Sequence, residues 1–170
     1  MLYMDLAERY QDQAKLVINN EPLLNYILRH PVDHAARRAF DQSIDEKRAI
    51  KLKNLSKTHG LFFFFASSCP HCHAFAPTIK RFATRYGFSI IPVSLDGQSL
   101  PEFPNFKINN GQAERLGVKS LPAVFAINPS ENKPRPILVS YGNVSVTELA
   151  EKLDFHEQQQ TQRVAYEVLH

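Results

Sequence analysis

Cysteine is nearly absent from this chain: its 170 residues contain two, Cys69 and Cys72. No second C-x-x-C accompanies them. Cys69, Cys72 and His73 could supply three zinc ligands, one short of a structural site. No stretch reaches the roughly 18 apolar residues of a membrane span, so none is expected. Met1-Leu2-Tyr3-Met4-Asp5 lacks the charged and apolar regions of a signal peptide. Nor is there an excess of one charge: 20 Lys and Arg face 17 Asp and Glu, a net charge of +3, too mild to imply a nucleic-acid partner. Lys47, Arg48, Lys51, Lys53 and Lys57 form one basic stretch, expected on a helix as a solvated face. There is no internal repeat, and the first 58 residues hold no cysteine and no convincing catalytic cluster, so a packing or docking role is expected of them.

What the chain does have is Cys69-Pro70-His71-Cys72, directly after the apolar run Leu61-Phe62-Phe63-Phe64-Phe65-Ala66 and before a helical pattern. A strand that ends in C-x-x-C at a helix start marks the working end of a thioredoxin-like fold. The spacing lets the two sulfurs close a small ring across the first helical turn. The first sulfur then sits over unpaired backbone N–H groups at the positive end of the helix dipole, which favours a thiolate at Cys69. Cys72, further in, is expected to be more buried and to resolve. Exchange proceeds by attack of a thiolate on a disulfide through a mixed disulfide. Pro70 suits a first helical turn because it has no N–H to lose. His71 can add a donor or a positive charge beside the sulfur. A more stable thiolate makes the oxidised form a stronger oxidant, so the Pro-His pair argues for donating disulfides.

Hydrophobic periodicity orders the rest. Residues 3–18 and 22–28 are predicted helical, and 33–58 form a third helix with Ala36, Phe40, Ile44, Leu52 and Leu55 apolar and Gly60 closing it. From Leu61 the pattern predicts strand 61–66, helix 70–86, strand 88–94, short helix 111–116, strands 123–128 and 136–141, and helix 145–154. The first two strands should be parallel, joined by a right-handed crossover, and the last two an antiparallel hairpin. The Phe-rich first strand, lacking polar alternation, should lie in the sheet centre with both faces buried. Phe75, Ile79, Phe82 and Tyr86 form one helix face, and Pro77 should kink that helix. Residues 96–110 are expected as a loop at the sheet edge that carries Cys69. Phe103 and Phe106 there either offer substrate an apolar surface or pin the loop to the body. The predicted architecture is thus α/β, a thioredoxin-like mixed sheet flanked by helices over 59–154, with a helical N-terminal region over 1–58 and a polar tail over 155–170.

Thioredoxins carry a proline at the offset of Pro77, and thioredoxin-like proteins place a cis-proline before the strand that faces the active-site sulfurs. Most X-Pro bonds are trans, but the position of Ser120-Leu121-Pro122-Ala123 by this resemblance implies a cis Pro122, with Leu121 lending backbone groups to substrate. Longer segments are more specific. His59-Gly60-Leu61-Phe62-Phe63-Phe64-Phe65, Arg85-Tyr86-Gly87-Phe88-Ser89-Ile90-Ile91-Pro92-Val93-Ser94-Leu95-Asp96-Gly97 and Gly111-Gln112-Ala113-Glu114-Arg115-Leu116-Gly117-Val118 resemble the TraF family of conjugative-transfer proteins. That resemblance, over roughly 21–154, implies a periplasmic protein that assists assembly of a conjugative pilus and its type IV secretion channel. Some members of the family lack the cysteine pair. The Cys-Pro-His-Cys sequence is similar to that of the periplasmic oxidase DsbA. Thioredoxin and DsbA carry a buried acid six residues before the first cysteine, where this chain has Phe63. Its absence puts the usual proton route in doubt and removes a charge that would raise a cysteine pKa.

Two functions follow as expectations. The first is a periplasmic thiol-disulfide oxidoreductase, an oxidase with reductase or isomerase as variants, acting on cysteine-containing secretion subunits and recycled by a membrane redox partner. Cys69 and Cys72 would carry the chemistry, Pro70 and His71 tune it, and Leu121 and Pro122 hold substrate, with no metal and no cofactor beyond the cysteine pair. A strongly oxidising pair has little use in a reducing cytosol, so a trimmed export signal is expected. The second is an assembly factor whose thioredoxin-like body is a docking surface and whose cysteines are incidental.

Overall fold

The structure is a computed structural model and describes residues 34–169. The helices predicted over 3–18 and 22–28 lie outside the described residues. The first described element is the helix α1, His34–Leu55. A boundary between two units of the chain falls within it, after Ile44. From Asp45 onward, Leu52 is fully buried and Leu55 half-buried. Phe40 and Ile44, expected on the apolar face, are exposed. The helix does not run to residue 58, and Gly60 does not close it: Lys57 and Thr58 form a turn, and Gly60 opens the first strand.

Five strands form one sheet: β1 Gly60–Phe65, β2 Ile90–Ser94, β3 Lys107–Ile108, β4 Ala123–Ile127 and β5 Ile137–Tyr141. Their order is β3-β2-β1-β4-β5. β1 runs parallel to β2, and β4 and β5 are antiparallel, as the crossover and hairpin patterns predicted; β1 also pairs antiparallel with β4. β3 was not expected. Two residues are too few to show strand alternation, yet they pair with Val93 and Ser94 inside the predicted 96–110 loop.

The centre of the sheet is made of phenylalanine. Leu61, Phe63 and Phe65 point into one cluster and Phe64 into the other, all fully buried, so β1 is covered on both faces. The first face is covered by the helix α2, Pro70–Tyr86, by Leu52 of α1, and by Leu149 and Leu153 of the last helix, α4, Val146–Leu169. On the other face Ala113, from the four-residue helix α3 (Gln112–Arg115), packs near Phe64, Val93 and Phe125. Phe75, Ile79, Phe82 and Tyr86 of α2 are all buried, the face their spacing predicted. Pro77 lies on the exposed side of α2, which continues past it to Tyr86.

Each boundary of α2 has a local cause. Cys69 is its N-cap and Pro70 opens its first turn. Gly87 ends it in the left-handed region, φ 82°, with its N–H bonded to Ala83 O. A Cβ at Gly87 would also approach Ser56 Oγ to 3.3 Å. Gly87→Ala is therefore expected to cost about 1 kcal/mol, read as a lower urea midpoint at unchanged slope.

α4 starts in a reciprocal cap: Glu148 N–H donates to Ser145 Oγ at 3.2 Å and Ser145 N–H to Glu148 Oε2 at 2.8 Å. The helix predicted to end at 154 runs on to Leu169, so the polar tail is helical. Neither glycine nor proline interrupts it, and nothing else in that stretch stops a helix. Its early part also answers the basic stretch of α1. Lys51 Nζ lies 2.7 Å from Asp154 Oδ1 and 2.7 Å from Glu157 Oε2, and Arg48 Nε lies 3.8 Å from Asp154 Oδ2. Lys47, Lys53 and Lys57 stay exposed, so only part of that stretch is a solvated face. Among the described residues no helix is long and apolar enough to cross a membrane.

Candidate active site

The sheet register brings together what the chain separates. Phe65 is the last residue of β1 and pairs with Ser94, the last of β2. Phe64 pairs with Ala123, the first residue of β4. Because β4 is antiparallel to β1, the residue before Ala123 reaches the edge at which β1 ends. That residue is Pro122, and the Leu121–Pro122 bond is cis, as the resemblance implied. Leu121 is half-buried and packs against the same apolar cluster as Cys69 and Cys72. The Pro122 carbonyl accepts from Gly142 N–H at 2.8 Å, which ties this turn to the end of β5.

Three residues link β1 to α2. Cys69 then caps the helix with an extended backbone, φ −91° and ψ 109°. Cys69 and Cys72 are joined in a disulfide, with Cα atoms 5.2 Å apart. Cys72 N–H points at Cys69 Sγ at 3.1 Å, and Cys72 N–H and His73 N–H also face Cys69 O at 3.1 and 3.3 Å. The two sulfurs differ in access. Cys72 is fully buried among Phe75, Ala76 and the rest of the core cluster, whereas Cys69 is only half-buried. Pro70 and His71 are exposed. An incoming thiol can therefore reach Cys69 and not Cys72. Once the bond opens, the Cys69 thiolate keeps an N–H donor and the helix N-terminus.

The zinc donor set is not assembled. The two sulfurs bond each other, and His73 Nε2 lies 2.6 Å from Ser67 O, so this nitrogen donates to the carbonyl. Among the described residues no group of three or more His, Cys, Asp or Glu side chains is placed to hold a metal ion.

Phe63 occupies the position of the acid. It is fully buried, with ring centroids 5.4 Å from Phe65, 5.8 Å from Phe75 and 5.3 Å from Phe103. Of the two readings of Phe103 and Phe106, pinning is what the packing supports. Phe103 is buried on Phe63, and Phe106 is half-buried with its ring 6.2 Å from Phe65.

One polar cluster at this edge was not anticipated from sequence. Asp96 Oδ2 accepts from Ser67 N–H at 2.8 Å, from the Ser67 hydroxyl at 2.6 Å and from Ser68 N–H at 3.4 Å. Its Oδ1 accepts from the Ser94 hydroxyl at 2.9 Å and from Gln98 N–H at 3.2 Å. The signal was an acid two residues beyond a strand end, with two serines just before the first cysteine, 28 and 29 residues away in the chain. The Ser67 hydroxyl is the largest cause that holds the Asp96 carboxyl well below the usual carboxylate range. Burial opposes it, and the Ser94 hydroxyl and the N–H groups of Gln98 and Ser67 add to it. A depressed folded value means that the contribution to stability is complete above the ordinary 3.8 and is lost as pH falls through the folded value. The unfolding free-energy difference between the native chain and Asp96→Asn is thus expected to be constant from about pH 5 to 8 and to shrink below about pH 4. Urea titrations of both proteins across that range check it.

A parallel strand pair, a C-x-x-C disulfide capping the crossover helix, and a cis-proline turn beside it define a thioredoxin-like protein with a site of the thiol-disulfide oxidoreductase kind. The chain belongs to the TraF family: the family model, described as F plasmid transfer operon protein, matches residues 1–153. It is 36% identical over 142 residues to Protein TraF of Escherichia coli strain K12, an alignment covering 82% of this chain and 56% of that protein. It is 46% identical over 41 residues to Protein TrbB of the same organism, covering 24% of this chain and 23% of that protein. The chain thus spans about half, or less, of the length of these curated relatives. Similar solved structures include a DsbE-type thiol:disulfide interchange protein from Chlorobium tepidum, 22% identical, covering 62% of this chain and 84% of that one, TM-score 0.45. A thioredoxin from Trichomonas vaginalis is 22% identical, covering 64% of this chain and 90% of that one, TM-score 0.43.

Proposed function

We propose that this protein is a periplasmic thiol-disulfide oxidoreductase that forms disulfides in exported proteins of a conjugative pilus and its type IV secretion apparatus. The observation that carries this reading is the unequal pair at the α2 N-terminus: an accessible Cys69 sulfur facing the Cys72 N–H, and a buried Cys72. In the forward step a substrate thiolate attacks Cys69 Sγ, the Cys69–Cys72 bond breaks, and the electron pair leaves on Cys72. A second substrate thiol then attacks the mixed disulfide at the substrate sulfur. The substrate leaves oxidised, and both cysteines of the enzyme are reduced. A membrane redox partner of the disulfide-accepting class takes those two electrons and restores the disulfide. The exposed His71 imidazole, two residues after Cys69, favours the thiolate whenever it is protonated. Leu121 lends backbone groups to the substrate, which it holds together with Pro122. The reaction needs no metal and no cofactor other than the cysteine pair.

Membership of the TraF family supports subunits of a conjugation system as the substrate class. An oxidising pair is useful only where disulfides persist, which is the reason for the periplasm. The experiment is the equilibrium reduction potential of Cys69–Cys72 against glutathione, with Cys72→Ser as the blank. The expected value is near about −120 mV, that of a disulfide donor; a value near about −270 mV marks a reductase and overturns the oxidase reading.

A further inference from the structure

The strongest unassigned feature is the Asp96 cluster. The segment Ala66-Ser67-Ser68 that delivers Cys69 to the helix lies outside both the β1 ladder and α2. Its backbone groups are nonetheless taken up almost completely. Ser67 N–H and Ser68 N–H go to Asp96 Oδ2, the Ser67 carbonyl to His73 Nε2, and the Ala66 carbonyl to Cys69 N–H at 3.2 Å. Asp96 is itself anchored through its other oxygen by Ser94, which is fully buried at the end of β2, and by Gln98 N–H. One carboxylate thus ties the turn before the reactive cysteine to the neighbouring parallel strand.

We propose that Asp96 is a positioning residue for Cys69: by holding the Ser67–Ser68 turn against the end of β2, it keeps Cys69 Sγ within hydrogen-bond reach of the α2 N-terminus. The physical requirement is narrow. The Cys72 N–H, 3.1 Å from Cys69 Sγ, is the donor that the fold supplies to a thiolate there. The helix-end field falls off within one turn, so a turn that drifts by about an ångström leaves the thiolate with a weakened donor. A hydrogen bond to the charged form lowers a pKa, so its loss raises the Cys69 pKa and lowers the thiolate fraction.

The carboxylate charge acts in the opposite sense, since a nearby negative charge disfavours a thiolate. A charge-matched comparison separates the two. Asp96→Asn and Asp96→Ala both remove the charge. Only the former keeps an oxygen for Ser67 and Ser68, with its amide nitrogen turned to Ser94 Oγ. Gln98 N–H retains Ser94 Oγ at 3.1 Å in both.

The inference rests on Cys69 being the reactive thiol of the proposed function. The test reads Cys69 itself: the reduced full-length chain is alkylated with iodoacetamide across pH 4 to 9, with the modified residue located by mass spectrometry. At about pH 6, Asp96→Ala is expected to react about five-fold more slowly than Asp96→Asn, with its profile displaced to higher pH. Ser67→Ala keeps the charge and loses the 2.6 Å bond, so it is expected to react more slowly than the native chain. It also decides the matter if Asp96→Ala does not fold. Coincident pH profiles for the Asn and Ala variants, or a fall in melting temperature with the profile unmoved, overturn the assignment. A native Cys69 that reacts no faster than an ordinary thiol would instead count against the functional reading beneath it.

Discussion

Cys72→Ser is expected to turn a transient intermediate into a stable one. With Cys72 absent, a disulfide between Cys69 and a substrate cysteine has no internal thiol to resolve it. Mixed disulfides should therefore accumulate and appear as reductant-sensitive adducts on gels of exported proteins. Cys69→Ser should yield none, because the remaining sulfur is fully buried behind the first turn of α2. Turnover in a disulfide-exchange assay should fall by more than about 100-fold in either variant, since the two cysteines act as a unit. The same variants decide between the proposed enzyme and a docking body with incidental cysteines. If a folded Cys69→Ser, Cys72→Ser double variant still supports plasmid transfer at the native level, and Cys72→Ser captures no exported protein, the oxidoreductase reading fails.

The second large effect is expected at Phe63→Asp. Phe63 is fully buried in the sheet centre, with the rings of Phe65, Phe75 and Phe103 around it. Removing the ring costs about 3–5 kcal/mol, as for other large-to-small changes in a core. The carboxylate adds a desolvation cost with no partner in that apolar shell. Against a typical total stability of about 5–15 kcal/mol, the variant should be largely unfolded or close to it at pH 7. Burial raises the pKa of such an acid, so folding favours its neutral form. The penalty is therefore smallest below the ordinary carboxylate range and grows as pH rises through it. Urea unfolding at pH 4.5 and pH 7.5 checks this, with Phe63→Leu as the comparison, expected to cost under about 1.5 kcal/mol. A Phe63→Asp protein as stable as Phe63→Leu at pH 7.5 would mean that water or a cation already reaches this position. The site would then hold a proton acceptor without loss of the fold.

The two effects share a cause. The cysteine pair sits on a core of phenylalanine rings that excludes water from Cys72 and leaves Cys69 at the rim. Loop 96–110 completes that core, since Phe103 and Phe106 lie on Phe63 and Phe65. Two roles were open for these rings from sequence, because an aromatic residue in a loop satisfies either a ligand or its own body.

Local pattern carried most of the architecture. The unbroken apolar run of β1, the helical spacing of Phe75, Ile79, Phe82 and Tyr86, and the C-x-x-C between them are all short-range signals. The structure meets them with a doubly covered strand, an amphipathic helix and a disulfide at a helix start. The β1–β2 and β4–β5 pairs followed because a crossover links parallel strands and neighbouring strands in sequence tend to pair. Tertiary structure alone decided three things. It joined β3 to the sheet, where two residues gain pairing only because β2 is already in place. It docked the extension of α4 beyond residue 154 on the β5 side, where Gln160 Nε2 donates to Pro136 O and Arg135 lies 3.3 Å from Glu167. And it brought Asp96 to Ser67. A carboxylate and a hydroxyl 29 positions apart carry no periodicity that links them. Their bond exists because β1 and β2 end side by side, and that adjacency is a property of the sheet rather than of either segment.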